Sequence, residues 1–155
     1  MSATVRYQAV LLDLDGTMVD TIGDFVAAMN NTLEAVGCDG VPGEIVRTWV
    51  GRGGPHLINE ARLHAGLPES DLEVLRVGFY AHYGAINGQH SETFPGVDAG
   101  LAYWQDRGVR LACVTNKPEA HARALLKLKG LDAYFGDFVW GGDSLAERKP
   151  HALPL

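Results

Sequence analysis

The chain has 155 residues, 46% of them hydrophobic and 21% charged, with a formal net charge of −6. That is enough chain for one domain with a buried core, and the composition is ordinary for a soluble globular protein. The acidic balance argues against nucleic acid as a partner, because a phosphate backbone needs a basic face, yet a small phosphorylated ligand needs only a local positive spot. No apolar run reaches the ~18 residues of a membrane span, and the opening MSATVRYQAV lacks the basic stretch and apolar run of a secretory leader. Cys38 and Cys113 lie far apart with no CxxC spacing, so they read as small apolar side chains in a reducing cytoplasm.

In chain order, the first predicted element is a strand, Gln8 to Asp13. Its apolar run from Ala9 to Leu12 does not alternate, which predicts burial on both faces, as in an inner strand of a parallel sheet. An acidic turn, Asp13-Leu14-Asp15-Gly16-Thr17, follows. Ile22, Phe25, Val26, Met29, Leu33 and Val36 then recur at helical spacing up to Gly37, and Thr21 with Asp24 resembles a capping box. Further helices are predicted near 43–50, 55–65 and 71–83, the last with Leu72, Leu75, Phe79 and Tyr83 on one face.

Pro95-Gly96 marks a boundary, after which the pattern changes. A helix carrying Val97, Leu101 and Trp104 ends at Gly108. The strand Arg110 to Thr115 follows, then a helix opened by Pro118 and running to Gly130, then a short strand near Phe138 to Trp140. Pro150 to Leu155 reads as the opening of an amphipathic helix. Alternating strands and helices imply an α/β fold with a parallel sheet. A crossover between parallel strands needs only about a dozen residues, so the long helical stretch between the first two strands is an insertion. The expected organisation is a core from residues 1–20 and 94–155 with a helical module from 21–93.

Open α/β sheets bind ligands beyond the C-terminal ends of their strands, where Asp13 and Asp15 sit. Asp13 can attack phosphorus to give an aspartyl phosphate. Asp15 can protonate the leaving oxygen and later take a proton from water. Gly16 permits a sharp turn beside a phosphate, and Thr17 adds a hydroxyl. An EF-hand loop also begins DxDG, but its twelfth position needs Glu and here holds Asp24, and a strand rather than a helix precedes it. In Val114-Thr115-Asn116-Lys117-Pro118 a strand ends on a hydroxyl where a helix begins, which suits a phosphate, although Thr and Asn also cap helices routinely. Lys149, in Arg148-Lys149-Pro150, can neutralise the phosphate and hold the nucleophile. The six histidines show no metal spacing and read as surface residues, and Asp143 reads as a turn residue.

Taken together these segments resemble the haloacid dehalogenase superfamily of phosphatases. DLDGTMVD resembles its nucleophile motif, VTNKP its second motif with Thr115 at the phosphate, and ERKP its third-motif lysine, Lys149. TWVGRGGP, FPGV and GGDSLAERKP resemble the phosphoglycolate phosphatase group. The resemblance implies a Rossmann-like core with the insert as a helical cap, and a Mg²⁺ ion touched by Asp13 and by the main-chain carbonyl of Asp15. It also implies that Arg52, in VGRGG, meets the carboxylate or distal end of a small phosphate ester, with a solvated turn arginine as the alternative. A fourth motif, a strand ending in paired acids (GDSxxD), would complete the metal site. It does not occur before Leu155, so the core is expected to be incomplete at its C-terminus, as a fragment or a truncated protein of reduced activity, and the first strand, central in the family's sheet, is expected to show an exposed apolar edge where further strands would cover it.

The expected function is Mg²⁺-dependent hydrolysis of a small phosphate monoester such as 2-phosphoglycolate. Two alternatives stand beside it: a sugar-phosphate phosphatase or phosphomutase of the same superfamily, and a non-catalytic fragment or interaction module. The expected partner is a small phosphorylated acid or sugar, with no nucleic acid and no membrane.

Overall fold

The computed structural model describes residues 7–155, so the first six residues, on which part of the leader reading rests, lie outside the described residues. The elements run β1 (Ala9–Leu12), β2 (Val19–Asp20), α1 (Ile22–Ala35), α2 (Gly43–Trp49), α3 (Gly54–His64), a 3-10 turn (Glu69–Asp71) and α4 (Leu72–Ile86). They continue through β3 (Glu92–Thr93), α5 (Val97–Gln105), β4 (Arg110–Val114), α6 (Glu119–Leu128), α7 (Asp132–Phe135) and β5 (Val139–Trp140). Contacts divide the chain into two units, Met1–Val19 with Thr93–Leu155, and Asp20–Glu92. Among the described residues no helix is long and apolar enough to cross a membrane.

The first unit holds a parallel sheet in the order β1-β4-β5. Leu12 lies opposite Cys113, and Val114 opposite Trp140, so all three strands end along one edge of the sheet. Whatever follows each strand therefore gathers at that edge: Asp13 after β1, Thr115 after β4, and the loop toward Lys149 after β5. The core beneath is Leu14, Met18, Val19, Leu101, Leu111, Cys113, Ala122, Leu125, Leu126, Leu131, Phe135 and Val139, with Val10 and Leu12 packed against it.

The first strand is not buried on both faces; it carries the exposed apolar edge expected where further strands of the family's sheet are lacking. β4 holds the central place and is buried from Leu111 to Val114, whereas β1 is an edge strand with Ala9 exposed and Leu11 43% exposed. Leu11 faces an open apolar groove with Phe138, Leu153 and Leu155 on its walls. A run without polar residues thus reports the residues' chemistry and not how many neighbours the strand has found. The amphipathic helix expected at 150–155 is also absent: the segment forms turns, in which the Leu153 N–H donates to Nδ1 of His151 and the Leu155 N–H to the Ala152 carbonyl. Pro150 and Pro154 supply no N–H for helical bonds. The short helix α7 was not anticipated.

The second unit is helical, with Ala28, Met29, Leu33, Val46, Trp49, Leu57, Ile58, Leu75, Phe79 and Tyr83 in its core. Three of the four residues assigned to one face of α4, namely Leu75, Phe79 and Tyr83, are buried there. Tyr83 stacks on Phe25 at 5.3 Å and on Phe79 at 5.6 Å between ring centroids. The capping box at Thr21 and Asp24 does not form, since no side-chain cap bond is made at the start of α1. Asp24 is fully buried and accepts the N–H groups of Gly88 at 2.8 Å and His90 at 2.7 Å. Two donors from the return segment outcompete one at the helix terminus. Both cysteines are free thiols, Cys113 buried and Cys38 only half-buried.

Candidate active site

The loop after β1 is built by its apolar residues as much as by its acids. Leu14 and Met18 are buried in the core, and the Leu14 carbonyl accepts the N–H groups of Thr17, Met18 and Val19. Gly16 takes φ +72°, in the left-handed region that costs glycine least, and its N–H donates to the Val19 carbonyl at 2.8 Å. The turn is thus pinned from below while Asp13 and Asp15 remain partly accessible.

Each carboxylate has its own lysine. Nζ of Lys149 lies 2.9 Å from Oδ1 of Asp13, and the Leu14 N–H donates to that same oxygen at 2.8 Å. Both contacts fall on Oδ1. Nζ of Lys117 lies 2.7 Å from Oδ1 of Asp15, and there the lysine side chain is 2% exposed and the aspartate 11%. Lys117 was not among the residues expected at the site. The signal was available in Val114-Thr115-Asn116-Lys117-Pro118: a lysine caught between a buried strand end and a helix-opening proline has little room to reach solvent.

Thr115 is buried at the end of β4, where its hydroxyl oxygen accepts the Lys117 N–H at 3.2 Å and its O–H can still donate. Asn116, expected at the substrate, gives its side-chain N–H to the Lys149 carbonyl at 3.1 Å, tying the loop after β4 to the loop that carries the second lysine. That loop is also anchored at Gly142, whose N–H donates to the Lys117 carbonyl at 2.9 Å; a Cβ at Gly142 would meet the Asn116 carbonyl oxygen at 2.5 Å. Asp143, expected as a turn residue, lies in a turn and in addition accepts the Glu119 N–H at 2.7 Å at the start of α6. Ser144 donates to the Glu119 carboxylate, and this bond, with the help of Arg123, holds that acid below the usual carboxylate range. Thr17 is exposed on the acidic turn. Arg52 belongs to the second unit and is exposed on the turn before α3.

The electrostatics beneath the loop can be read from Cys113. Its thiol is pushed up to about 12, first by burial, then by the negative charges of Asp13 and Asp15, against which Lys149 and Lys117 act in the opposite sense. For a metal, the donors here are hard oxygens, which suits Mg²⁺ better than a softer ion. Among the described residues no three His, Cys, Asp or Glu side chains come together, and Asp13 with Asp15 are the residues that would hold the ion. Mg²⁺ retains several waters in such sites, and the residues present fit it as a partial set.

The model of the haloacid dehalogenase-like hydrolases matches residues 7–155. The chain is 45% identical over 148 residues to the plasmid-encoded phosphoglycolate phosphatase of Cupriavidus necator, covering 95% of this chain and 64% of that protein. It is 38% identical over 159 residues to the phosphoglycolate phosphatase of Neisseria meningitidis, covering 100% of this chain and 67% of the relative. A crystal structure of a predicted phosphoglycolate phosphatase from Haemophilus somnus superposes with a TM-score of 0.90 at 31% identity, over 96% of this chain and 68% of the other. The chain thus spans about two thirds of the length of these relatives. With a family model matched from residue 7 onward and these relatives over nearly the whole chain, this protein belongs to the haloacid dehalogenase-like hydrolases.

Proposed function

We propose that this chain carries the nucleophile and proton-transfer part of a phosphatase site that hydrolyses a small phosphate monoester, 2-phosphoglycolate by preference. The observation that supports this most is the Asp13–Lys149 contact of 2.9 Å at the end of β1, beside a second carboxylate with its own ammonium partner. The relatives named phosphoglycolate phosphatase supply the substrate class.

In the proposed mechanism, Oδ2 of Asp13 attacks phosphorus, the ester P–O bond breaks, and Asp15 delivers a proton to the leaving alkoxide. Asp15 then takes a proton from a water that attacks the aspartyl phosphate, releasing phosphate and restoring Asp13. Lys149 and the Thr115 hydroxyl hold the transferring oxygens, whose charge changes most along the path. Mg²⁺ held by the Asp13 carboxylate and the Asp15 carbonyl would supply further charge neutralisation at that phosphoryl group. Arg52 is proposed to meet the substrate carboxylate, for which a guanidinium is a good geometric match. The residues 21–93 are proposed to act as a cap.

The test is phosphate release from 2-phosphoglycolate by the wild-type chain and by Asp13→Asn. Expected is loss of turnover at Asp13→Asn with the fold retained by circular dichroism. Appreciable turnover by that variant, with mass spectrometry excluding reversion to Asp, would remove the covalent step. Arg52→Ala should lose more on 2-phosphoglycolate than on an aryl phosphate lacking a carboxylate, and equal losses would reject the role given to Arg52.

A further inference from the structure

Two lysines stand at the ends of these strands, and they are not equivalent. Lys149 is 22% exposed and pairs with the more open of the two carboxylates. Lys117 is almost wholly enclosed and pairs with the more enclosed one. Burying an ammonium is costly unless it is paired, and a lysine held in one rotamer gives up most of its side-chain entropy. The backbone is arranged to hold it there. The Lys117 N–H donates to the Thr115 hydroxyl oxygen, its carbonyl accepts the Gly142 N–H, and Pro118 follows directly as the first cap of α6. A lysine fixed at both of its peptide groups, with its ammonium 2.7 Å from Oδ1 of Asp15, has the geometry of an orienting group.

We propose that Lys117 is a positioning residue for Asp15: by holding Oδ1 it fixes the carboxylate so that Oδ2 lies where the leaving oxygen receives its proton. This rests on the reading of Asp15 as the group that moves protons. It divides the labour between the lysines. Lys149 serves the nucleophile and the phosphoryl oxygens, and Lys117 acts on the reaction only through Asp15. The same logic applies wherever a third group orients an acid–base residue without touching substrate. A misplacement of about 1 Å in such a group can cost ~10²-fold in rate.

The consequence is dependence on the leaving group. An alkoxide needs a proton as it departs, whereas 2,4-dinitrophenolate does not. The experiment compares first-turnover alcohol release from 2-phosphoglycolate and from 2,4-dinitrophenyl phosphate, for the wild-type chain, Lys117→Met, Lys117→Arg, Asp15→Asn and the Lys117→Met/Asp15→Asn double variant. Lys117→Met should lose about 10- to 100-fold on 2-phosphoglycolate and several-fold at most on the aryl ester. Lys117→Arg should recover part of that loss. In the Asp15→Asn background, Lys117→Met should cost nothing further. Equal losses on both esters, or additive losses in the double variant, overturn the proposal. If Asp15→Asn itself loses equally on both esters, the proton-transfer reading of Asp15 fails and this inference falls with it. Unfolding of the same four-variant cycle in urea gives a readout independent of turnover. A coupling that changes the unfolding equilibrium more than about tenfold supports a closed pair, as expected when one partner of a buried pair is removed, and no coupling overturns it.

Discussion

Asp24 offers the sharpest test of the packing within the helical unit. It is fully buried and receives two backbone N–H groups from residues 88–90, more than sixty residues further along the chain. Replacing it with Ala removes both acceptors. A hydrogen bond to a charged group contributes about 1.5–3 kcal/mol, and leaving a buried donor unsatisfied costs about 1–3 kcal/mol. Gly88 is buried, so its N–H loses an acceptor that water does not replace, whereas exposed His90 can turn to solvent. Removing a buried charge returns part of the loss. The balance is about 2–3 kcal/mol of destabilisation, which for a chain of this size lowers Tm by roughly 4–12 °C. Asp24→Asn should cost a similar amount, because its amide nitrogen would oppose one of the two donors. The assay is urea unfolding of both variants together with amide exchange at Gly88 and His90. Exchange at those two amides should quicken while β4 remains protected. A loss below about 0.5 kcal/mol with unchanged exchange would show that the two bonds do not hold the return segment.

The remaining expectations concern single groups. Cys113, with its thiol raised to about 12 by burial and by the charges of Asp13 and Asp15, should resist iodoacetamide in the native chain at pH 8 while half-buried Cys38 reacts; mass spectrometry of the two peptides reads this, and equal labelling would contradict it. Burial, and next the charge of Lys117, holds His121 below its usual value of 6.5, with Asp143 opposing. A depressed histidine contributes stability that is fully present above the unfolded value and is lost as pH falls through it. Below pH 6.5 the wild type should therefore lose stability faster than His121→Gln in urea titrations, and parallel curves would refute the assignment. Inorganic phosphate should bind about tenfold or more weakly in EDTA than in Mg²⁺ by calorimetry, and equal affinity would argue that the lysines suffice.

How much of this was legible beforehand depends on which interaction each residue makes. Local signals read well: Gly37, Pro95-Gly96 and Gly108 bound their elements because chain geometry near them is fixed by the residue itself. The helical spacing of Leu75, Phe79 and Tyr83 located a core face for the same reason. Failures came where a side chain chose among distant partners. Thr21 and Asp24 carry a local capping pattern, but Asp24 bonds to Gly88 and His90. The acids of the DxDGT turn were visible as chemistry, while the part of Leu14 and Met18 in fixing that turn to the core has no local signature. Leu11 shows what composition does carry: an apolar run signals a strand suited to neighbours on both flanks, and the edge left open beside β1 is the one expected where such neighbours are lacking.

The charge arrangement explains why two lysines are needed where one would pair with a phosphate. Asp13 and Asp15 lie one residue apart, so an approaching phosphate dianion would meet two negative charges on one turn. Lys149 and Lys117 offset them one for one, and that leaves the dianion itself unbalanced. An overall charge of −6 adds no long-range help. Excess positive charge must therefore arrive with the substrate, which is the role proposed for Mg²⁺ at Asp13. On the proposed reading, the Lys117 charge is engaged by Asp15 and Lys149 is left to the nucleophile and the phosphoryl oxygens. An acid–base carboxylate that shares its turn with a nucleophile would gain from such a partner, since one lysine between two carboxylates would hold neither as firmly.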